Sequence, residues 1–255
     1  SLCNALFRFW KLRGDYRQEG LDWFEKFLAA STASRTALRA WALYHTALLS
    51  LSAHKRKTLL AESLPLAREI GDHACIARIL TPIGYDELDN EDFDNARALL
   101  EESLSEARLA NDEIAVGNAI LGLGNLAGRQ VDYETAHSLT EESLAIFKRV
   151  GDLPILYIGL NSMGIIYSDQ GNYNTAREYF EEGLILAQEV HDRSNAALFL
   201  RNLGDIALST GDFDNALSFF EQFRRLIQDT PDDFYLNMVF FDIGEVARFQ
   251  GNYDK

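Results

Sequence analysis

Apolar positions along the chain recur at the spacing of helices that bury one face. Between residues 112 and 129 they are three or four residues apart, at Val116, Ile120, Leu123 and Leu126. This spacing is one turn of an α-helix, so these side chains form a single buried stripe. Breaks written Gly-Asn-Tyr at 171–173 and Gly-Asp-Phe at 211–213 follow such stripes. Glycine allows the left-handed backbone that ends a helix, and Asp or Asn caps the next one, so the pattern predicts paired helices.

The whole pattern repeats every 40 residues, because four residue types keep the same register. The register glycines are Gly84, Gly124, Gly164, Gly204 and Gly244, and the turn aromatics are Phe93, Tyr133, Tyr173, Phe213 and Tyr253. The other two sets are Asp72, Asp112, Asp152, Asp192 and Asp232, and Ala96, Ala136, Ala176 and Ala216. Five glycines in strict register is a chance event of roughly 1 in 10⁴. The chain is therefore an array of repeats.

The small residues have a packing explanation. Gly124 on a first helix and Ala136 on a second helix lie where two backbones must approach closely. We expect the turn aromatic, such as Tyr133, to fill the wedge between successive pairs. Pro65 and Pro82 fall inside predicted helices and should kink them, because proline removes a helical hydrogen bond.

The regularity differs along the chain. Residues 73–250 are regular 40-residue repeats, whereas residues 1–72 are degenerate, and we expect residues 1–255 to form one solenoid. The chain starts inside a first helix and stops at Gly-Asn-Tyr, 251–253, where a second helix should begin. Natural arrays end in polar caps, so the sequence predicts a fragment of a longer protein.

The small-Gly-large order of the first helix, the turn and the alanine after it resemble the tetratricopeptide repeat. That family's common unit has 34 residues, and this one has longer helices. The resemblance implies an all-α fold, a right-handed superhelical α-solenoid of about six antiparallel helix pairs plus one unpaired C-terminal helix. It also implies that function lies on the concave wall that the first helices line.

A narrower resemblance concerns the style of the repeats. The run Glu-Glu-Ser-Leu at 101–104 and 141–144 looks like the repeats of bacterial signal-transduction ATPases with many domains, some of which are transcription regulators. The N-terminal string Arg8-Phe9-Trp10, Arg13-Gly14, Glu19-Gly20 and Trp23 resembles the segment where those proteins enter their repeats. The phosphate-loop pattern G-x-x-x-x-G-K-[ST] is absent from this sequence.

Charge and composition narrow the classes of partner. The formal net charge is −15, which disfavours binding to a nucleic-acid backbone or to an anionic membrane. No apolar run approaches 18 residues and no signal peptide opens the chain. Cys3 and Cys75 are the only cysteines and lie far apart, so we expect no disulfide framework and a cytoplasmic location.

Catalysis, cofactors and metals have no supporting pattern. The glutamate pairs 101/102, 141/142 and 181/182 keep the repeat register, which is typical of a solvated face rather than of acid–base carboxylates. The histidines, at 45, 54, 73, 137 and 191, lack the spacing of metal ligands. We therefore expect a protein that is not an enzyme and has no metal or cofactor.

The candidate site is the inner wall of the solenoid. By analogy with the family, inward positions lie six and three residues before the register glycine, and one, four and five after it. Polar residues of changing type occupy them, as a non-repetitive ligand would require; the candidates are Arg78, Asn118, Asn125, Arg129, Asn161, Arg201, Asp205, Glu245 and Arg248. The apolar residues Leu121, Ile158, Ile165 and Leu198 lie among them. An ordinary hydrated surface with no dedicated ligand explains the same residues.

Two functions fit these features. In the first, the chain is the sensor or regulatory region of a larger bacterial signalling ATPase or transcription regulator. In the second, it is a stand-alone adaptor that scaffolds a protein complex by holding a peptide in its groove. The partner is a protein, a peptide or another domain of the parent chain, and the last helix is a candidate surface for self-association.

Overall fold

The computed structural model describes residues 7, 10, 16–30, 36–151, 153–227 and 233–249, and all regular elements among them are helices. Twelve helices have defined bounds in these ranges. They are α1 Arg17–Ala30, α2 Ala37–Leu49, α3 Ala53–Ile70, α4 His73–Asp89, α5 Phe93–Leu109, α6 Glu113–Arg129, α7 Tyr133–Val150, α8 Leu153–Asp169, α9 Tyr173–Glu189, α10 Arg193–Ser209, α11 Phe213–Ile227 and α12 Asp233–Phe249. The predicted all-α fold class is confirmed.

Consecutive helices pack in pairs, and the chain divides into two compact units at residues 150 and 151. The first unit holds α1 and the pairs α2–α3, α4–α5 and α6–α7. The second holds the pairs α8–α9 and α10–α11, and α12 packs on α11 as a single final helix. Phe7 and Trp10 are helical as well. Gly14 and Asp15, where the sequence pattern also predicts a turn, lie outside the described residues.

Capping chemistry sets where the helices begin. Asp72, Asp92, Asp112, Asn172 and Asp192 are N-caps whose side-chain oxygens accept a hydrogen bond from the backbone N–H three residues later. Such a bond satisfies one of the N–H groups that a helix leaves unpaired at its first turn. The predicted capping role is therefore confirmed at these positions, while Asp152 and Asp232 lie outside the described residues.

A left-handed residue ends the helices before these caps. Four glycines have positive φ, from +71° at Gly71 to +77° at Gly211. The corresponding turns that lack glycine keep the same backbone, at Glu91, Asn111, Val131 and His191. Because these four side chains carry a Cβ, they adopt a conformation that costs an L-residue roughly 1–2 kcal/mol. The repeat geometry, rather than the local residue, fixes the conformation of the turn.

The register glycines lie where the two helices of a pair meet. A Cβ placed on Gly124 would be 2.8 Å from the hydroxyl of Thr140 and 3.3 Å from the carbonyl of Ala136. At Gly164 the nearest atom is Cε1 of Phe180, at 2.3 Å. The close approach that the sequence predicts is confirmed at Gly84, Gly124, Gly164 and Gly204, where the glycine makes room for the side chain four residues after the register alanine. These alanines, at 96, 136, 176 and 216, are fully buried.

The prolines interrupt hydrogen bonding without ending their helices. Pro65 lies inside α3 and Pro82 inside α4, and both helices continue past them. Pro154 is the second residue of α8, in the first turn, where the missing N–H costs little. Pro231 lies outside the described residues.

The last described helix exposes a face that the earlier first helices bury. Phe240 and Phe241 on α12 are 60% and 68% exposed. The positions equivalent to Phe240 are all buried, at Leu80, Ile120, Leu160 and Leu200. Self-association through this helix stays a prediction.

Candidate functional site

The candidate residues lie on the first helices of the pairs. In the first unit, Arg78 is on α4, and α6 carries Asn118, Asn125 and Arg129. In the second unit, Asn161 is on α8, Arg201 and Asp205 are on α10, and Glu245 and Arg248 are on α12. Leu121, which the same rule also selects, is fully buried and therefore forms no part of the groove surface.

Arg78 holds the first turn of the next pair. Its Nε donates to Oδ2 of Asp112 at 2.7 Å and its NH2 to Oδ1 at 3.1 Å. Asp112 is at the same time the N-cap of α6, through the N–H of Ala115. One carboxylate thus caps a helix and binds the preceding first helix. We call this arrangement the cap-aspartate clamp.

The clamp recurs in other pairs with different donors. One repeat earlier, Nε1 of Trp41 donates to Oδ2 of Asp72 at 2.9 Å. In the second unit the hydroxyl of Tyr157 donates to Asp192. Indole, guanidinium and phenol groups therefore serve the same purpose, which is to tie one first helix to the cap of the next. A bidentate bond between Arg and a carboxylate is the strongest of the three types.

Arg78 and Asn118 also border a pocket in the first unit. The cavity has a volume of about 120 Å³ and lies among α2, α4 and α6. Its lining comprises Tyr44, Leu48, Arg78, Thr81, Pro82, Tyr85, Ala115 and Asn118. Burial raises the pKa of the Tyr44 phenol to about 12, although the positive charge of Arg78 opposes the shift. Burial also raises the pKa of the Tyr85 phenol, so both phenols of the pocket are neutral hydrogen-bonding groups at physiological pH.

The remaining candidates of α6 are already engaged. Nδ2 of Asn125 donates to the hydroxyl of Tyr85 at 3.2 Å, and burial raises the pKa of that phenol. Arg129 lies 3.8 Å from the carboxylate of Glu91, and both side chains are largely exposed. An exposed pair at this distance contributes little to stability.

An amide pair links the first helices of the second unit. Nδ2 of Asn202 on α10 donates to Oδ1 of Asn161 on α8 at 2.8 Å. This bond leaves the amide N–H groups of Asn161 and the carbonyl of Asn202 without a protein partner among the described residues. Ile165 and Leu198, on the same helices, are 43% and 39% exposed. Amide groups and exposed apolar side chains therefore occur together on this wall.

Arg201 lies between two carboxylates. Its Nε donates to Oδ2 of Asp242 on α12 at 3.0 Å, and its NH1 lies 4.0 Å from Oδ2 of Asp205. Burial raises the pKa of Asp205 to about 6, an effect that Arg201 opposes and Asp242 reinforces. On α12, Arg248 pairs with Glu245 at 2.7 Å. The arginines of this wall are thus neutralised by carboxylates of the same chain.

Sequence reasoning missed Asn202 and Asp242. Both lie two residues before the register glycine, a position that the family rule leaves out. The residue type changes at every repeat there: Pro82, Gly122, Ser162, Asn202 and Asp242. The criterion that selected the other candidates, polar or changing types at equivalent positions, would have found this position too.

Other kinds of site have no geometry to support them in the described part of the chain. No three His, Cys, Asp or Glu side chains gather there as metal ligands would. No helix in the same ranges is both long and apolar enough to cross a membrane. His45 lies buried among aromatic rings, and this burial lowers its pKa to about 3. It is therefore a neutral core residue.

Comparisons with known proteins agree with this architecture. Residues 156–229 match the family model described as tetratricopeptide repeat. No curated protein matches the sequence. Among solved structures, BtubC from P. vanneervenii is 20% identical, with a TM-score of 0.57, and the match covers 90% of this chain and 85% of that one.

Two further structures are similar. A Rap protein complexed with Competence and Sporulation Factor is 15% identical, with a TM-score of 0.64 over 95% of this chain and 76% of that one. A signal transduction ATPase with numerous domains and a tetratricopeptide repeat sensor, from Pyrococcus horikoshii, is 16% identical. Its TM-score is 0.59, over 90% of this chain and 39% of that one. Identities this low show the fold alone, and repeat solenoids of this kind bind other proteins on extended concave surfaces. Residues 156–229 are thus tetratricopeptide repeats, and the chain as a whole has the tetratricopeptide-like solenoid fold.

Proposed function

We propose that the chain binds an extended peptide segment along the walls formed by its first helices. The observation that carries this proposal is the Asn161–Asn202 pair with Ile165 and Leu198 beside it. A peptide backbone presents donors and acceptors in alternation, and an Asn side chain offers both. The N–H groups of Asn161 that have no protein partner can donate to the carbonyl of one peptide unit. The side-chain carbonyl of Asn202 can accept from the N–H of the same unit.

The apolar residues supply the second part of the binding energy. Ile165 and Leu198 each expose about two-fifths of their surface, which a peptide side chain can cover. Burying half of a large aliphatic side chain is worth about 1 kcal/mol. Backbone hydrogen bonds then fix the direction of the peptide, and the apolar contacts select its side chains.

We further propose that this binding serves regulation. The repeat style of residues 101–104 and the likeness to an ATPase with a tetratricopeptide repeat sensor support a sensor region in a larger signalling protein. The likeness to a Rap protein complexed with Competence and Sporulation Factor supports the binding of a separate factor by a solenoid of this fold. A ligand acts on such a region by binding one arrangement of the helices more tightly than another. The same groove would serve a stand-alone adaptor.

Selection from a phage-displayed library of random nonapeptides tests the proposal. Selected peptides are resynthesised with a fluorophore, and their affinity is measured by anisotropy for the wild type, Asn161→Ala and Asn202→Ala. Each substitution removes one or two hydrogen bonds of about 1 kcal/mol, so we expect affinity to fall roughly tenfold. Asn174→Ala, an exposed asparagine on the second helix α9, is the matched control and should leave affinity unchanged. Equal affinity in all four proteins with unchanged helicity would refute the groove assignment.

A further inference from the structure

Pro82 breaks a local rule of helix formation inside the pocket of the first unit. A proline in a helix interior costs about 3 kcal/mol, because it has no N–H and its ring crowds the preceding turn. Pro82 lies at the tenth position of α4 and lines the cavity together with Arg78, four residues earlier. Violations of local rules concentrate where a function compensates for their cost.

The missing N–H leaves a backbone acceptor in the wall. In an uninterrupted helix, the N–H of residue 82 would bond to the carbonyl of Arg78. Because residue 82 is proline, this carbonyl has no helical donor. Pro65 has the same effect on the carbonyl of Ala61, but both of these residues are exposed on the second helix α3, where water can serve as the donor. Pro82, by contrast, lines a cavity together with Arg78, the residue whose carbonyl it frees.

The pocket offers donors as well. Tyr85 accepts a hydrogen bond from Asn125, so its own O–H remains to donate. Nε and Nη2 of Arg78 donate to Asp112, and Nη1 has no hydrogen-bond partner among the described residues. The amide of Asn118 supplies one donor group and one acceptor. A ligand in the cavity therefore meets at least three donor groups and two acceptors.

The charge of the pocket decides between possible ligands. Asp112 already binds Arg78 in a bidentate pair, so the guanidinium carries no uncompensated positive charge. A ligand carboxylate would lose its hydration beside a guanidinium that Asp112 already neutralises, and an ammonium group would lose its hydration beside a cation. A neutral group avoids both costs. A primary carboxamide fits best, since its carbonyl accepts from Arg78 or Tyr85 and its NH₂ donates to the freed carbonyl and to Asn118.

The size of the cavity agrees with this chemistry. A volume of about 120 Å³ equals about four water molecules at roughly 30 Å³ each. A glutamine side chain, with two methylene groups and a carboxamide, occupies a similar volume. Leu48, Pro82 and Ala115 provide apolar wall for the methylene groups.

We propose that this pocket binds the carboxamide side chain of a glutamine or asparagine in the bound peptide. The inference rests on the proposed function in that the side chain arrives as part of a peptide. It gives the first unit a selective site for one side chain. The specificity of the chain would then reside in α2, α4 and α6.

The test uses three capped amino acids as probes of the whole chain, followed by ¹H–¹⁵N NMR. They are N-acetyl-glutamine methylamide, the glutamate analogue and the methionine analogue, which match in length but differ in the terminal group. With about 14 heavy atoms at roughly 0.3 kcal/mol each, the glutamine probe should bind in the millimolar range. We expect saturable shifts at the amides of Asn118 and Asn125, with at least tenfold weaker binding of the other two probes.

Two variants and a matched control separate an effect on the pocket from the general effect of removing a proline from a helix. Pro82→Ala supplies an N–H for the carbonyl of Arg78, so it should stabilise α4 and weaken the glutamine probe about tenfold. Asn118→Ala should weaken the probe as well. Pro65→Ala restores the equivalent hydrogen bond in α3, away from the cavity, and should leave binding unchanged.

The results distinguish this proposal from the proposed function. A chain that binds selected peptides, but shows no saturable shift with the glutamine probe or binds all three probes equally, overturns the pocket assignment alone. Unchanged probe affinity in Pro82→Ala also overturns it. A chain that binds the glutamine probe selectively, yet yields no peptide from the library, supports the pocket chemistry and refutes the peptide groove.

Discussion

Gly204 and Gly244 occupy the same position of the repeat in different surroundings. A Cβ on Gly204 would lie 2.4 Å from Cε1 and 2.7 Å from Cδ1 of Phe220, which is fully buried. No described atom lies within 4 Å of a Cβ on Gly244. The same substitution, glycine to alanine, should therefore change stability in opposite directions at these two sites.

The magnitude follows from two terms. Alanine is favoured over glycine in a helix interior by about 0.8–1.0 kcal/mol, and this gain applies at both sites. At Gly204 the new methyl group must displace the ring of Phe220, and overpacking of this kind costs about 1–3 kcal/mol. We expect Gly244→Ala to raise the free energy of unfolding by up to about 1 kcal/mol and Gly204→Ala to lower it by about 1 kcal/mol, a difference of about 2 kcal/mol.

The assay must resolve the two regions, because repeat arrays unfold locally as well as globally. Urea unfolding followed by circular dichroism gives the change in the global free energy of unfolding. Hydrogen exchange of the backbone amides of α10 and α12 gives the free energies of local opening at the two sites. Gly164→Ala repeats the geometry of Gly204, with its Cβ 2.3 Å from Phe180, and should be destabilising as well. If Gly204→Ala stabilised the protein as much as Gly244→Ala, the close-approach explanation of the register glycine would be refuted.

Two further predictions concern the turns and the second unit. Gly211→Ala places a Cβ at φ +77° and should lower the free energy of unfolding by about 1 kcal/mol. Val131→Asn should raise the free energy of unfolding, since Asn tolerates the φ of +64° found there. Urea unfolding measures both changes. The pKa of Asp205 is raised by burial to about 6, above its unfolded value near 4. The folded state then binds the extra proton, so this group's contribution to stability falls as pH rises from about 4 to 6. We therefore expect the Asp205→Asn variant to lack this part of the decrease in urea midpoint between pH 4.5 and pH 7. Asp214→Asn, a control at an exposed position, should keep the pH dependence of the wild type.

The helices and their boundaries follow from local chemistry, which is why the sequence predicted them. Asp112 caps α6 and Gly171 ends α8 through interactions within a few residues of chain. Glu91 and Val131 could not be predicted as left-handed from their own residue types, because neither favours that backbone. Packing of the neighbouring helices imposes the turn there and compensates for its strain.

The helices that carry the candidate residues were predictable, but the pairing of these residues was not. The repeat rule placed Arg78 and Arg201 on the first helices of their pairs, as the structure does, and a ligand groove there stays a prediction. Their partners, Asp112 and Asp242, are 34 and 41 residues away in sequence, so no local pattern reveals them. The sequence offered both arginines as candidate ligand-binding residues, whereas each already binds a carboxylate of its own chain.

This pairing has a consequence for how a ligand could act on the array. Asp112 caps α6 through Ala115 and at the same time holds Arg78 of α4, which borders the pocket. A ligand group that bonds to Arg78 must therefore act on a side chain that also fixes the cap of the next repeat. If a bound group shifted the guanidinium, the Asp112 carboxylate would follow it or lose a charge-assisted hydrogen bond worth about 1.5–3 kcal/mol. A ligand bound to Arg78, as we propose, would thus be coupled to the cap of α6 through one carboxylate.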